Sequence, residues 1–240
     1  MGYIDIHSHI LPGVDDGSRS REQSLEMLKI ASENGIDSVI LTPHNKAEHR
    51  NVSVEGIHRR LIQLQELADA NHIPITLYPG CEIYYRDGVT EQLEEGRLCT
   101  LANSKYVLLE FMPVEEFSYI RQAIYDVQSV GFIPVLAHVE RYHCMTAKLD
   151  NVAYAIDRGA LIQVNASSVT GALGFKMKQT VKKMLKEQLI HFVATDAHDT
   201  KKRAPHIEEC ATYLQKKCGE AYASALLYAN AERMIRGEMI

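Results

Sequence analysis

Seven strand-length apolar runs, separated by helix-length amphipathic segments, restrict this chain to a small set of α/β folds. Residues 3–7, 37–42, 75–83, 106–111, 133–139, 161–167 and 191–197 read as strands. The segment 22–34 carries Leu25, Leu28 and Ile30 and stops at Gly35, a natural helix C-terminus. The segment 54–70 places Ile57, Leu61, Leu64 and Leu67 at three- and four-residue steps and closes at Asn71. A short helix and a turn are expected within 86–104, and helices over 115–130, 149–158, 175–187, 206–217, 219–228 and 229–236. Such alternation requires parallel strands joined by right-handed crossovers, closed as a barrel or left as an open sheet.

Six of the runs end at residues that bind metals, and this decides between the two. IDIHSH carries His7 and His9, whose two-residue offset puts both side chains on one face of a strand, with Asp15 and Asp16 just beyond. SVILTPH ends at His44, YPGCEIYY carries Glu82, and YVLLEF carries Glu110. PVLAHVER ends in His138, Glu140 and Arg141, and HFVATDAH in Asp196 and His198. A barrel gathers all C-terminal strand ends at one mouth, whereas an open sheet spreads the outer ones apart. The expectation is therefore a (β/α)7 TIM-like barrel in one domain spanning 1–240, a size that buries one large core.

Composition narrows the partners. A net charge of -5 without a clustered basic surface argues against nucleic acid and anionic membrane. The longest apolar runs are strand-sized and the N-terminus carries no secretory pattern, so a cytoplasmic protein without membrane insertion is expected. Cys81, Cys99, Cys144, Cys210 and Cys218 form no Cys-x-x-Cys pair and read as reduced thiols. Lys176, Lys178, Lys182, Lys183 and Lys186 read as the wet face of a helix, and His49, His58, His72, His143, His191 and His206 as ordinary surface or core histidines.

Imidazole with carboxylate suits manganese, iron, zinc or cobalt better than calcium or magnesium. Asp16, Glu82, Glu110 and Asp196 supply about four negative charges, enough with neutral His7, His9, His44, His138 and His198 to hold roughly three divalent ions and leave about two net positive charges. Such a centre ionises water near neutral pH and clamps an anion. Arg141 lies three residues beyond His138 and Arg203 five beyond His198. Guanidinium forks match phosphate oxygens, so a phosphate ester is the expected substrate class.

The motifs HxH with Asp-Asp, TPH, GCEIYY, LLEF, AHVERY and TDAH closely resemble the polymerase and histidinol phosphatase (PHP) superfamily, and more narrowly the bacterial manganese-dependent protein tyrosine phosphatases of capsule and exopolysaccharide operons. The resemblance runs through essentially the whole chain. It implies a distorted (β/α)7 barrel with three divalent ions, manganese foremost. His7, His9, Glu82 and Asp196 would hold the first, Glu82, Glu110 and His138 the second, and Asp16, His44 and His198 the third. Asp15 and Asp16 would exchange places on a one-residue loop shift. Arg141 and Arg203 fall on the family's phosphate-binding arginines. The implied reaction is direct hydrolysis of phosphotyrosine by in-line attack of water, with no covalent enzyme intermediate. The implied partner is the tyrosine-rich, phosphotyrosine-bearing tail of a bacterial kinase that controls polysaccharide export; the oligomeric state is left open. A phosphatase for a small metabolite such as histidinol phosphate would use the same centre. Barrel amidohydrolases typically bridge metals with a strand-end lysine, absent here, and a noncatalytic metal module has no need of both arginines.

Overall fold

The structure, a computed structural model, describes residues 2–47 and 51–240. His49 lies outside the described residues. Among the described residues, nine short parallel strands run β1 Tyr3–Ser8, β2 Ile36–Leu41, β3 His44–Asn45, β4 Thr76–Pro79, β5 Glu82–Tyr84, β6 Tyr106–Glu110, β7 Ile133–Leu136, β8 Leu161–Asn165 and β9 Phe192–Ala194. They pair as β1-β2-β4 and as β3-β5-β6-β7-β8-β9.

These two sheets are one curled ring broken at a single level. β3 follows β2 after Thr42 and Pro43 as a further short strand beyond the expected 37–42, and β5 follows β4 after Gly80 and Cys81. The expected strand 75–83 is therefore corrected to two pieces. Pro43 has no N–H for the ladder, although its carbonyl still accepts the N–H of Glu82 at 3.1 Å. Gly80 sits where a Cβ would lie 2.9 Å from Ile40 Cγ2 and 3.3 Å from Leu41 O, a close approach open only to glycine. Above the break, His44 stands in register with Glu82, and Tyr84 with Glu110.

The ring meets itself at β1 and β9. Ser8 bridges Ala197 in parallel, Asp196 N–H donates to His7 O at 2.9 Å, and His9 N–H to Ala197 O at 2.8 Å. Below these bonds the buried Asp5 carboxylate accepts both the N–H and the hydroxyl of Thr195. Burial pushes this acid's pKa up while the Thr195 bonds oppose the rise.

Helices cover the outside. Ser20 caps Arg21–Glu33 and Ser53 caps Val54–Ala70 through their hydroxyls, and Gly35 takes the left-handed conformation just past the first of these helices. The larger apolar cluster packs these helices on the ring, with Met27, Leu28, Leu64 and Val127 among its members. A smaller cluster joins Ile6, Tyr106, Leu108, Phe192 and Met234. By strand alternation the face that carries Tyr106 and Leu108 next presents Glu110, and the face of Phe192 and Ala194 next presents Asp196. Glu220 to Ile235 form one run containing a π turn at Ala225–Ala229, where two separate helices were expected. Among the described residues no helix is long and apolar enough to cross a membrane.

Candidate metal centre

All nine sequence-derived ligand candidates converge at the C-terminal ends of the strands. His7 Nε2 lies 3.3 Å from His9 Nε2, 3.3 Å from Glu82 Oε1 and 3.6 Å from Asp196 Oδ1. His9 Nε2 is 3.4 Å from Glu82 Oε2 and 3.5 Å from Asp196 Oδ1. Glu82 is the shared member, since His138 Nε2 reaches its Oε1 at 2.9 Å and Glu110 Oε1 at 3.7 Å. On the outer side, Asp16 Oδ1 lies 3.4 Å from His44 Nε2 and 3.7 Å from His198 Nε2. Three sets offer ligand atoms within 4.8 Å of one another: His7, His9 and Glu82; His44, Glu82 and Glu110; and His9, Asp16, His44 and His198.

The donor set fits divalent cations. His44 Nδ1 lies 2.8 Å from Glu82 Oε2 and 3.5 Å from Glu110 Oε2, yet all three atoms are buried without a hydrogen-bond partner. Buried polar atoms are costly when unpaired, and a cation among them supplies the missing interaction.

Local backbone and outer contacts aim the ligands. His138 (φ 34°) and Asp196 (φ 53°) both take left-handed conformations where their strands end, so the expected strand 133–139 stops at Leu136 and 191–197 at Ala194. Three histidines use Nδ1 away from the cluster and turn Nε2 into it, the common arrangement of metal-binding imidazoles. His9 Nδ1 donates to Asp15 Oδ2 at 2.8 Å, His198 Nδ1 to Asp196 O at 2.9 Å, and His7 Nδ1 to Gln163 Oε1 at 3.1 Å. The adjacent acids thus separate: Asp15 is held behind His9 and by the N–H groups of Gly17 and His44, while Asp16 faces His44 and His198.

Opposite charges in the cluster hold one another in their ionised forms at Glu82 and Asp196. Burial alone would raise the Glu82 carboxyl, but His7, His138 and His44 hold it well below its usual range. Asp196 is likewise buried yet held low by His7, His9, His138 and Arg141. Burial opposes protonation of His44, but Asp16 and Glu82 carry its pKa up to about 9. His198 goes the other way, to about 3, through burial and the nearby His9 and Arg203 charges. Both predicted arginines meet the site at one atom: Arg141 Nη2 lies 2.7 Å and Arg203 Nη2 2.8 Å from Asp196 Oδ2.

Four participants were not anticipated. Lys46 Nζ sits 3.3 Å from His44 Nε2 and 3.4 Å from Glu110 Oε2. Tyr142 packs edge-on against His138 and donates nothing to it. Gln163 and Asn165 on β8 line the same centre, and their two-residue spacing, like that of His7 and His9, is the signal that could have found them.

Fold and site together define a metal-dependent hydrolase on a PHP-type, amidohydrolase-like barrel. A family model described as capsular polysaccharide synthesis, CpsB/CapC, matches residues 3–236. The chain belongs to this CpsB/CapC family. It is 34% identical to the tyrosine-protein phosphatase YwqE of Bacillus subtilis (strain 168) over 238 residues, 99% of this chain and 93% of that protein. It superposes with a TM-score of 0.94 and 34% identity on a chain from the crystal structures of YwqE from Bacillus subtilis and CpsB from Streptococcus pneumoniae, described as metal-dependent tyrosine phosphatases, covering 99% and 96% of the two chains. A histidinol phosphate phosphatase from Lactococcus lactis shares the fold at a TM-score of 0.56 and 12% identity, over 90% of this chain and 94% of the other.

Proposed function

We propose that this chain is a metal-dependent protein-tyrosine phosphatase of capsular polysaccharide synthesis, acting in the cytoplasm on the phosphotyrosine-bearing tail of a bacterial tyrosine kinase. Three divalent ions, manganese in the first instance, are assigned to it. His7, His9, Glu82 and Asp196 hold the first; Glu82, Glu110 and His138 the second; Asp16, His44 and His198 the third. The observation that supports this reading is the convergence of these side chains at one end of the strands, with buried Glu82 shared between neighbouring groups and several of the facing atoms left without a hydrogen bond. Membership of the CpsB/CapC family supports it independently.

Bound divalent ions lower the pKa of water from about 15.7 towards about 7 and offset charge on phosphoryl oxygens. The chain's own groups do the rest. Arg141 and Arg203 each spend one guanidinium nitrogen on Asp196, which leaves further N–H donors for a phosphate. Asp196 in turn fixes both forks at one edge of the cluster, so an ester bound there is oriented before it reacts. A phenol leaves as an anion of pKa about 10, needing less proton donation than a serine alkoxide. No thiol nucleophile competes: burial pushes Cys81 and Cys210 up, and Cys99 to about 12.

The test is turnover of phosphotyrosyl peptide, phosphoseryl peptide and histidinol phosphate by stripped protein reloaded with manganese, iron, zinc or cobalt. Phosphotyrosine hydrolysis should return with metal, vanish with chelator and survive thiol alkylation. Preference for histidinol phosphate would overturn the tyrosine assignment.

A further inference from the structure

β8 supplies none of the nine ligand candidates, yet it places two fully buried amides against the centre: Gln163 is 0% and Asn165 1% exposed. Their orientations follow from one backbone group. The His138 N–H donates to Gln163 Oε1 at 2.7 Å, and because a backbone N–H can only donate, the amide oxygen must occupy that position. The same oxygen lies 3.1 Å from His7 Nδ1, so Nδ1 carries the ring proton. His7 Nε2 is then the nitrogen turned to the cluster, 3.3 Å from Glu82 Oε1, and the one available to a cation.

The other end of the amide continues the sequence of donors. Gln163 Nε2 donates to Asn165 Oδ1 at 2.9 Å, which turns Asn165 Nδ2 onto Asp196 Oδ2 at 2.8 Å. Arg141 and Arg203 use that same oxygen, so Asp196 Oδ1 is the atom left facing His7 and His9. Asn165 is itself pinned, because its N–H donates to Glu140 Oε1 at 3.0 Å, and Ser168 Oγ donates to that oxygen at 2.6 Å.

We propose that Gln163 and Asn165 form a one-way amide relay that fixes the tautomer of His7 and the exposed oxygen of Asp196, making them positioning residues for the ion held by His7, His9, Glu82 and Asp196. The inference rests on the ligand assignment proposed above. Without the relay a buried His7 can move its proton to Nε2, placing hydrogen where the cation binds. Loss of an outer partner of this kind typically lowers metal affinity about 10- to 100-fold.

Manganese affinity is measured by titration of stripped protein without substrate, alongside the ¹⁵N spectrum of the histidine rings. Gln163→Met should weaken the tightest site at least about tenfold and lose the Nδ1–H signature of His7. Gln163→Glu keeps the acceptor and should retain that signature. Should Gln163→Met fail to fold, Asn165→Ala removes the donor to Asp196 together with the acceptor of Gln163 Nε2 and should show a comparable loss. Wild-type affinity in a folded Gln163→Met or Asn165→Ala variant overturns the relay. A wild-type chain that binds no manganese overturns the ligand assignment instead, so the two failures are distinct.

Discussion

Asp196 Oδ2 accepts from Arg141 and Asn165 and ion-pairs with Arg203, and this crowding separates substrate binding from metal binding. Removing Arg141 leaves the Asn165 donor and the Arg203 ion pair on that oxygen, so the carboxylate stays in place. A charge-assisted hydrogen bond contributes roughly 1.5–3 kcal/mol, corresponding to about a 10- to 100-fold loss when it is made to the phosphate in the transition state. Arg141→Ala should therefore lower kcat/KM on phosphotyrosyl peptide by about that factor, while metal content measured by elemental analysis stays near wild type. Metal lost together with activity would show that Arg141 serves the ions and not the ester. Arg141 and Arg203 were legible in the sequence because each follows a ligand motif at short range. Lys46 was not, since a lysine two residues past a strand end is as ordinary on a surface as in a site.

The loop carrying Asp15 and Asp16 is held against β1 by the size of one residue. A Cβ on Gly17 would sit 2.1 Å from His9 O and 2.5 Å from His9 Cβ. Backbone cannot yield by that much, so Gly17→Ala must lift the loop and take Asp15 off His9 Nδ1 and Asp16 off His44 and His198. The variant should keep its fold, at a cost of about 1–3 kcal/mol, and bind fewer ions per chain than wild type by elemental analysis. Full metal content would show that Asp16 is dispensable to the centre. The ligand positions near the strand ends were legible because each apolar run stops at a histidine or an acid. The strand breaks were not: Gly80 lies inside a run that reads as one strand, β3 beyond Pro43 is only two polar residues long, and His138 and Asp196 look like strand residues until their positive φ is seen. Gln163 and Asn165 escaped notice because an uncharged amide in an apolar strand gives no electrostatic signal. The short helices His143–Ala147 and Ala166–Thr170 are too brief to show a period.

Closing the ring brings four acids and five imidazoles from distant parts of the chain to one site, all but Asp16 buried or partly buried, so protons and metal ions must compete for the same places. His44, whose pKa stands at about 9 because Asp16 and Glu82 outweigh the cost of burial, is protonated at neutral pH until a cation displaces the proton. His9, raised well above its ordinary value by Asp15, Asp196 and Glu82 against its burial, adds to this. His198, lowered to about 3, is neutral and enters coordination without releasing a proton. The sign follows: metal affinity rises as pH increases, by about tenfold per pH unit for each proton displaced, and the part of the rise due to His44 ends near pH 9, where that ring is already neutral. Calorimetry of manganese binding at pH 7 in two buffers of different ionisation enthalpy should report at least about one proton released per chain. Binding holds only the native chain, so a hundredfold excess over Kd adds about 2.7 kcal/mol per site and raises Tm by several degrees. That increment should shrink on acidification in step with the affinity. An increment and proton count that stay flat between pH 6 and 9 would mean that His44 and His9 are neutral before the ions arrive, and that the carboxylates around them are not the partners assigned here.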